Sequence, residues 1–590
     1  MTYENRIRKQ LDFLYGSQGD RIWPEIKQII EDFQARNPQL SEGEFQLDEK
    51  DVVLITYGDQ FQEKDRSNLE SLSKFLEHNL SECINRVHIL PFYPYSSDDG
   101  FSVIDYRQVN PEIGSWEDIN RMGNKFQLMF DAVVNHISRQ SEWFKAFLRA
   151  ESPFHEYFIT IDPMTDLSSV FRPRDLPLLT AVETNAGKKH VWTTFSDDQI
   201  DLNFSHPQLF LEIISLLLFY IEQGARLIRL DAIGYVWKQI GTSSLNLPQA
   251  HSIVKILRSV LNLVAPQVGL ITETNVPHEE NIRYFGDPGE KPEPGEKPLR
   301  GDEAQLIYQF SLAPLVLHTF ICGDVSVLTN WARTLSVPFA DSSFFNFIAS
   351  HDGIGVMPAK GLLTEDEIST LVDRTLSHGG KVSYKTNTDG TKSVYELNIT
   401  LFDALNNPQE PNSGIDVKRF LASQAIMLSL AGVPGIYIHS LFGSRNCHSC
   451  VEKTDRVRSI NREKFNLDEL QSRISDPVNI HTKVFHGYKH LLNLRRIHPA
   501  FHPNGSQQVL EANQRVFSVL RSDPRQNEHI ICLVNVSPER QEVYIDLDSV
   551  DLADVKMFKD IIENKTISVI TRNLNLVIDG YQTMWLVVCD

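Results

Sequence analysis

Cysteine is scarce, with six residues in a chain of 590. That excludes the cysteine-dense scaffolds on which small secreted domains depend, and it fits a reducing compartment. Only Cys447 and Cys450 stand close together, as a C-x-x-C around His448 and Ser449. A structural zinc ion wants four ligands, and no second pair lies nearby, so both are expected to be reduced loop thiols holding no metal. Long apolar runs are also missing. The longest, around Ile213 to Ile221, falls well short of the ~20 residues that span a bilayer. The opening stretch MTYENRIRKQLDFLYG has no apolar core followed by small residues, so no secretory signal is expected and the chain reads as cytoplasmic. Positive charge is in deficit: 57 Lys and Arg face 77 Asp and Glu, leaving a formal charge of −20. A phosphate backbone is repelled by that average, which argues against a nucleic-acid partner but leaves room for a local basic pocket. No internal repeat and no low-complexity tract stand out.

What is present is an ordinary globular composition, 41% apolar and 23% charged, in a chain long enough for more than one domain. Residues 1–50 are polar and amphipathic. Ile7, Leu11 and Leu14 recur at helical spacing with Phe13 beside them, which predicts one or two helices packed outside the main domain. Short apolar runs then alternate with helical patterns. They are DVVLITYG from Asp51, RVHILPFYP from Arg86, FQLMFDAVVNH from Phe126, ARLIRLDAIGY from Ala225, VGLITETN from Val268, LIYQFSL from Leu306, FFNFIASHDG from Phe344 and PGIYIHSLFG from Pro434. Strands apolar along most of their length belong to a parallel sheet covered on both faces. Eight such βα units predict a (β/α)8 barrel over residues 51–503. Two spacings are too long for plain connections. They predict inserted subdomains after the third and seventh strands, about residues 137–223 and 353–430, the kind of excursion that walls a site. From residue 504 to 590 the runs RVFSVLRS, HIICLVNVS, QEVYIDL, KTISVIT and QTMWLVV predict a small antiparallel β domain. DPGEKPEPGEKPLRGD, from Asp287, is expected to be an exposed loop.

Polar residues gather at the C-terminal ends of these runs: Asp131 and His136, Arg229 and Asp231, Glu273, then His351 and Asp352. Barrel enzymes place their chemistry at that end. Glycosyl transfer with retained stereochemistry needs two carboxyl groups roughly 5–5.5 Å apart, one to attack the anomeric carbon and one to protonate the leaving oxygen. Asp231 and Glu273 end consecutive predicted strands and can meet in that way. Arg229, two residues before Asp231, shares its face and favours the ionised form a nucleophile needs. Glu273 lies among apolar neighbours, and burial favours its protonated form. Asp352 follows His351 at another strand end, where it can stabilise positive charge developing on a sugar ring. Any one of these residues is more often a cap or a salt-bridge partner. Their coincidence at successive strand ends is harder to dismiss.

DAVVNHIS, RLIRLDAIGY, LITETNVPHEEN and FIASHDGIGV resemble, in order, the four motif regions of the α-amylase superfamily, glycoside hydrolase family thirteen. HILPFYPYSSDDGFSVIDY, the RPR at Arg172–Arg174, TTFSDDQIDLNF and SINREKF narrow the resemblance to its sucrose phosphorylase branch, over roughly Asp51 to Phe465. The resemblance implies a double displacement, with Asp231 as nucleophile, Glu273 as acid/base and Asp352 as transition-state stabiliser. It implies that His136, Arg229 and His351 surround the glucosyl unit, and that Asp98 and Arg458 grip its far hydroxyls. Phe101 is implied as an aromatic wall and Gln199 as a polar contact. Arg174 is implied to meet phosphate or the leaving group, a task suited to a planar guanidinium. No cofactor is implied. The partners implied are a small α-glucoside and inorganic phosphate, and the chain is expected to be a monomer or homodimer. Two departures matter. Tyr395 is followed by Glu396 where the family often has Gln, and Phe171 stands where sucrose phosphorylases commonly carry Tyr. RPRDLPLLT, TETNVPHEEN and VYELNI resemble glucosylglycerate phosphorylases more closely, so the leaving group is fructose, glycerate, glycerol or a relative.

The leading reading is therefore a retaining α-glucoside phosphorylase yielding α-glucose 1-phosphate. A hydrolase or transglucosylase acting on glucosylglycerol or glucosylglycerate would use the same three carboxylates. A carboxylate at Glu396 should repel phosphate unless an arginine offsets it, and so argues for that alternative. A non-catalytic sugar-binding protein on the same barrel should have lost a carboxylate, and all three are present.

Overall fold

The structure, a computed structural model, describes residues 2–287, 300–387 and 389–589. Most of the Pro- and Gly-rich stretch expected as a loop, residues 288–299, lies outside them.

Eight strands close into a barrel: β1 (Val53–Thr56), β2 (Arg86–Ile89), β3 (Gln127–Ala132), β4 (Ala225–Leu230), β5 (Gly269–Thr272), β6 (Leu306–Tyr308), β7 (Ser343–Asn346) and β8 (Val433–Tyr437). Each pairs in parallel with the strand before and after it, and β8 returns to β1. Nearly every strand residue is buried. One face looks into the barrel and the other meets the surrounding helices, which is why the runs read as continuously apolar. Register places the chemistry. Leu230 pairs with Thr272, so the next residues, Asp231 and Glu273, leave adjacent strands side by side. The long apolar run becomes the helix Pro207–Glu222, started by proline at its first turn and buried along most of its length. No helix among the described residues is long and apolar enough to cross a membrane.

Before the barrel run two helices, Tyr3–Tyr15 and Gly19–Arg36. Thr2 caps the first by accepting from the Asn5 amide, and Ile7, Leu11 and Leu14 form its buried stripe, while Phe13 stays 54% exposed. The excursion after β3 contains the hairpin Leu179–Thr184 with Gly187–Trp192, and pairs His136–Ser138 with Gln199–Asp201. The excursion after β7 contains the hairpin Lys381–Thr386 with Lys392–Asn398. Past the barrel, six antiparallel strands form a sheet from Ser506 onward, with a separate pair, Gln541–Asp546 and Asn573–Ile578. One face of this sheet, with Phe517, Val519, Cys532 and Trp585, joins the main core. The other, with Val516, Leu520, Ile531 and Leu533, builds a core of its own. Alternate residues of a strand face opposite ways, so one sheet serves both.

The reading of Cys447 and Cys450 as reduced thiols is overturned, since the two form a disulfide at the start of the helix His448–Thr454. Residues three apart in a helical turn stack on one side, and the 5.2 Å between these Cα atoms is within disulfide reach. Cys83, Cys322, Cys532 and Cys589 are free thiols.

Candidate active site

The pocket opens at the C-terminal ends of the strands. Asp98, Phe101, His136, Gln199, Arg229, Asp231, Glu273, His351, Asp352, Glu396 and Arg458 all line it, as does Arg174. At its floor, Arg229 Nη1 donates to Asp131 Oδ1 at 2.5 Å and to Asp231 Oδ1 at 2.6 Å. Asp131 is held from the other side by His88 Nε2 at 2.6 Å. Glu273 Oε2 accepts from the Ala232 amide at 2.9 Å, and Ala232 follows Asp231 in a left-handed turn at φ 48°. The nucleophile candidate and the acid candidate are thus tied to one short piece of backbone.

A second group closes the side wall. Asp352 receives Arg458 Nη1 at 2.5 Å. The rest of the Arg458 guanidinium forks onto Glu396, Nε to Oε2 at 3.0 Å and Nη2 to Oε1 at 2.7 Å. A fork-to-fork pair fixes both partners in a plane. Asp98 and Arg458, the two residues expected at the far hydroxyls, both line the pocket but are not bound to each other. Arg462, one helical turn later, lies 3.6 Å from Asp98 and 2.6 Å from Asp99, and Arg458 is occupied elsewhere. Glu396 carries its own arginine, which removes the electrostatic objection to phosphate raised above.

Phe101 stacks flat on His351, centroids 4.8 Å apart, and its carbonyl accepts from His136 Nε2 at 2.9 Å and Gln199 Nε2 at 3.1 Å. The turn that delivers Phe101 is strained. Asp98, Asp99 and Gly100 all have positive φ, and a Cβ on Gly100 would lie 2.4 Å from the Pro91 carbonyl oxygen. Strain of this kind persists only where surrounding contacts over-determine it. Here Arg462 supplies them through Asp98 and Asp99.

The mouth is walled by both excursions. Arg174 lies over the Tyr395 ring at 5.6 Å from its centroid, and the Tyr395 hydroxyl accepts from Asn275 Nδ2 at 3.4 Å. Strand register passes from Ser383↔Glu396 to Tyr384↔Val394, leaving Tyr395 as the extra residue of a β-bulge. Bulges re-aim side chains in this way. Of the three arginines lining the pocket, Arg229 and Arg458 are bound to carboxylates. Arg174 forms no ion pair among the described residues.

The electrostatics separate the carboxyl groups. Burial pushes Glu273 up to about 7; Arg229 opposes this and the Asp231 and Asp352 charges add to it. Burial also raises Asp231, against the pull of Arg229, so the expected cation effect is present but does not win outright. Asp231 still touches a guanidinium directly, whereas Glu273 accepts from one backbone amide. Asp231 therefore ionises first and Glu273 keeps the proton. Burial opposes ionisation of Asp352 as well, but Arg458, His351 and Arg462 hold it well below the carboxylate range. Burial lowers His351 to about 3, leaving it neutral. Asp131, despite burial, is held down by Arg229 and His88. Two anionic carboxylates and one protonated carboxyl around a neutral imidazole can supply a nucleophile, a counter-charge for a cationic sugar ring and a proton for a leaving oxygen.

Sequence reasoning placed Asp131 at its strand end but gave it no role, and passed over His88, which with Asp131 braces Arg229, and Arg462, Asn275 and Phe195, which touch the site or line it. Asp131 stood at the end of its run with the other polar residues and could have been paired with Arg229. Arg462 is the arginine within the SINREKF segment, four residues after Arg458.

Residues 72–296 match the α-amylase catalytic-domain family model. The glucosylglycerate phosphorylase of Spirochaeta thermophila is 45% identical over 99% of this chain and 98% of its own length. That of Allomeiothermus silvanus is 48% identical over 91% and 93%. Among solved structures, sucrose 6F-phosphate phosphorylase from Thermoanaerobacter thermosaccharolyticum superposes with a TM-score of 0.70 at 26% identity, covering 83% of this chain and 94% of that one. With such identity along almost the whole of both chains, and with this constellation at the barrel mouth, the protein belongs to the α-amylase family, in its glucosylglycerate phosphorylase branch.

Proposed function

We propose that this enzyme is a retaining α-glucosyl phosphorylase that transfers glucose from glucosylglycerate to inorganic phosphate, releasing glycerate and α-glucose 1-phosphate. Asp231 attacks the anomeric carbon while Glu273 gives its proton to the departing glycerate oxygen, leaving a β-glucosyl ester on Asp231. Glu273, now ionised, takes a proton from the incoming phosphate as its oxygen attacks the same carbon from the opposite face and frees Asp231. Asp352 faces the positive charge that develops on the ring in both steps. His136, Gln199 and Phe101 shape the glucose cavity, His351 offers a neutral donor, and Asp98 reaches the far hydroxyls with Arg462 behind it. Arg458 and Glu396 form one rigid unit beside Asp352.

The observation that carries the reading is the state of Arg174. Leaving group and acceptor are both anions in this reaction, and they occupy the same space in turn. Arg174 is the pocket-lining arginine with no carboxylate partner, and it stands at the mouth where both must sit. A guanidinium binds a carboxylate and a phosphate through the same pair of donors. A neutral fructose or glycerol leaving group leaves that charge unused in the first half-reaction, so glucosylglycerate is favoured over sucrose and glucosylglycerol. We place the reaction in the cytoplasm, where phosphate is at hand.

The test is product analysis with glucosylglycerate, sucrose and glucosylglycerol, each with and without phosphate. Phosphate-dependent glucose 1-phosphate, fastest from glucosylglycerate, is the expected outcome. Free glucose at one rate regardless of phosphate would overturn the proposal.

A further inference from the structure

The two excursions that wall the mouth are joined by a contact centred on Asp175. In the first, the bend Arg172–Leu176 is closed from within by Arg172 Nη2 donating to the Leu176 carbonyl at 2.5 Å. At its centre Arg174 turns to the pocket and Tyr395. Its neighbour Asp175 reaches the second excursion. Its Oδ1 accepts from Thr386 Oγ1 at 2.7 Å, and its Oδ2 pairs with Lys392. Thr386 and Lys392 are register partners at the turn end of the hairpin that carries Tyr395. Arg172 forms a backbone bridge to Thr386. The Lys385 ammonium lies 4.8 Å from the centre of the Phe171 ring.

We infer that Asp175 is a positioning residue, which sets the height and direction of Arg174 by fastening its bend to the hairpin that presents Tyr395. One strand, Lys392–Asn398, then holds both ends of the arrangement, with Lys392 gripping Asp175 outside and Tyr395 lying against Arg174 inside. An exposed ion pair is worth little by itself. This one is joined by a hydroxyl donor on the same carboxylate, a backbone bridge and a cation–ring contact, all within a short stretch of each excursion. Such a set fixes geometry more than it adds stability. Misplacing a binding group by a fraction of a bond length is enough to weaken the ligand it meets.

What Arg174 binds rests on the function proposed above; the clasp itself does not, and the experiment keeps them apart. Kinetics on Asp175→Ala, Asp175→Asn and Asp175→Glu are compared with hydrolysis of α-glucosyl fluoride in the absence of phosphate, which uses the glucose cavity and carboxyl groups but neither anion. In Asp175→Ala the KM for phosphate and for glucosylglycerate should rise roughly tenfold, with kcat changed far less. Fluoride hydrolysis should stay near the native rate, and Asp175→Glu should recover part of the loss. An unchanged KM for phosphate would overturn the inference, as would an equal loss in fluoride hydrolysis, which would mark a general structural role. If the native enzyme shows no phosphate-dependent product, hydrogen exchange at the amides of Phe171, Arg172, Arg174, Asp175, Leu176 and Leu178 decides the clasp alone. Faster exchange in Asp175→Ala supports it and unchanged exchange overturns it.

Discussion

Glu273 is where burial has been turned to use. Its carboxyl is pushed up to about 7 mainly by burial, so near neutrality it still holds a proton, the one that the proposed reaction gives to the leaving oxygen. kcat/KM for the glucoside reports the free enzyme, and it should fall as pH rises through about 7. Glu273→Gln should abolish that limb and lower kcat/KM by about a thousandfold; a flat native profile between pH 6 and 9 would sink the assignment. The same residue weighs on stability. A carboxyl whose folded value is raised lends stability at low pH that is lost as pH climbs through the folded value. Above pH 7 native Glu273 should therefore cost on the order of 3 kcal/mol. Glu273→Gln should raise the melting temperature by several degrees at pH 8 and scarcely at pH 4.5, as thermal scans at the two pH values would show. Asp131 carries the opposite risk. It is fully buried between His88 and Arg229, and Asp131→Asn should cost roughly 3–5 kcal/mol by leaving Arg229 half-paired. A loss below ~1 kcal/mol in denaturant unfolding would refute that account.

At the scale of elements, the turn Asp98–Phe101 is the most demanding piece of backbone. Gly100→Ala places a methyl against the Pro91 carbonyl at φ +108° and should displace Phe101. KM for every glucoside should rise at least about tenfold while fluorescence and circular dichroism stay native. An unaffected KM would show that the turn has room to relax. Elements of this kind mark what could be read from the chain and what could not. The barrel strands were legible because burial on both faces leaves an unbroken apolar run, and even three-residue β6 stood out as LIYQFSL. Asp231 and Glu273 were legible because adjacent parallel strands end in step. Arg458 and Arg462 were not separable, since a helical turn between them decides which guanidinium reaches Asp98, and a motif supplies only the segment. The link from Asp175 to Thr386 and Lys392 spans more than two hundred residues and left no local trace. The C-x-x-C of Cys447 and Cys450 was visible, but composition pointed to thiols, and it was a single helical turn that brought the sulfurs together.

Over the whole molecule, the C-terminal sheet is locked to the barrel. Arg521, on the sheet, reaches across to the Ser429 carbonyl and also donates to those of His502 and Ser506, while Arg495, on the barrel side of the joint, donates to the carbonyls of Glu49, Leu428, Gly432 and Phe501. Both are fully buried, and burial draws Arg495 down to about 9 and Arg521 to about 10. They bind backbone rather than carboxylates, which ties the joint to the exact course of the chain on both sides. Heating should give one calorimetric transition, and a chain ending near residue 503 should aggregate because the barrel face under Phe517 and Trp585 is then bare. Two resolved transitions, or a monomeric active truncation, would contradict this. The barrel order has one more outcome. β3 and β7 stand four places apart in a ring of eight, so the excursions that follow them rise from opposite sides of one rim, and where Asp175 meets Lys392 they join as an arch. A sugar chain cannot be threaded lengthwise beneath an arch with both feet planted; it must be handed in by its end. Binding across the middle of a polysaccharide is thereby disfavoured by architecture, before any contact in the pocket has been made.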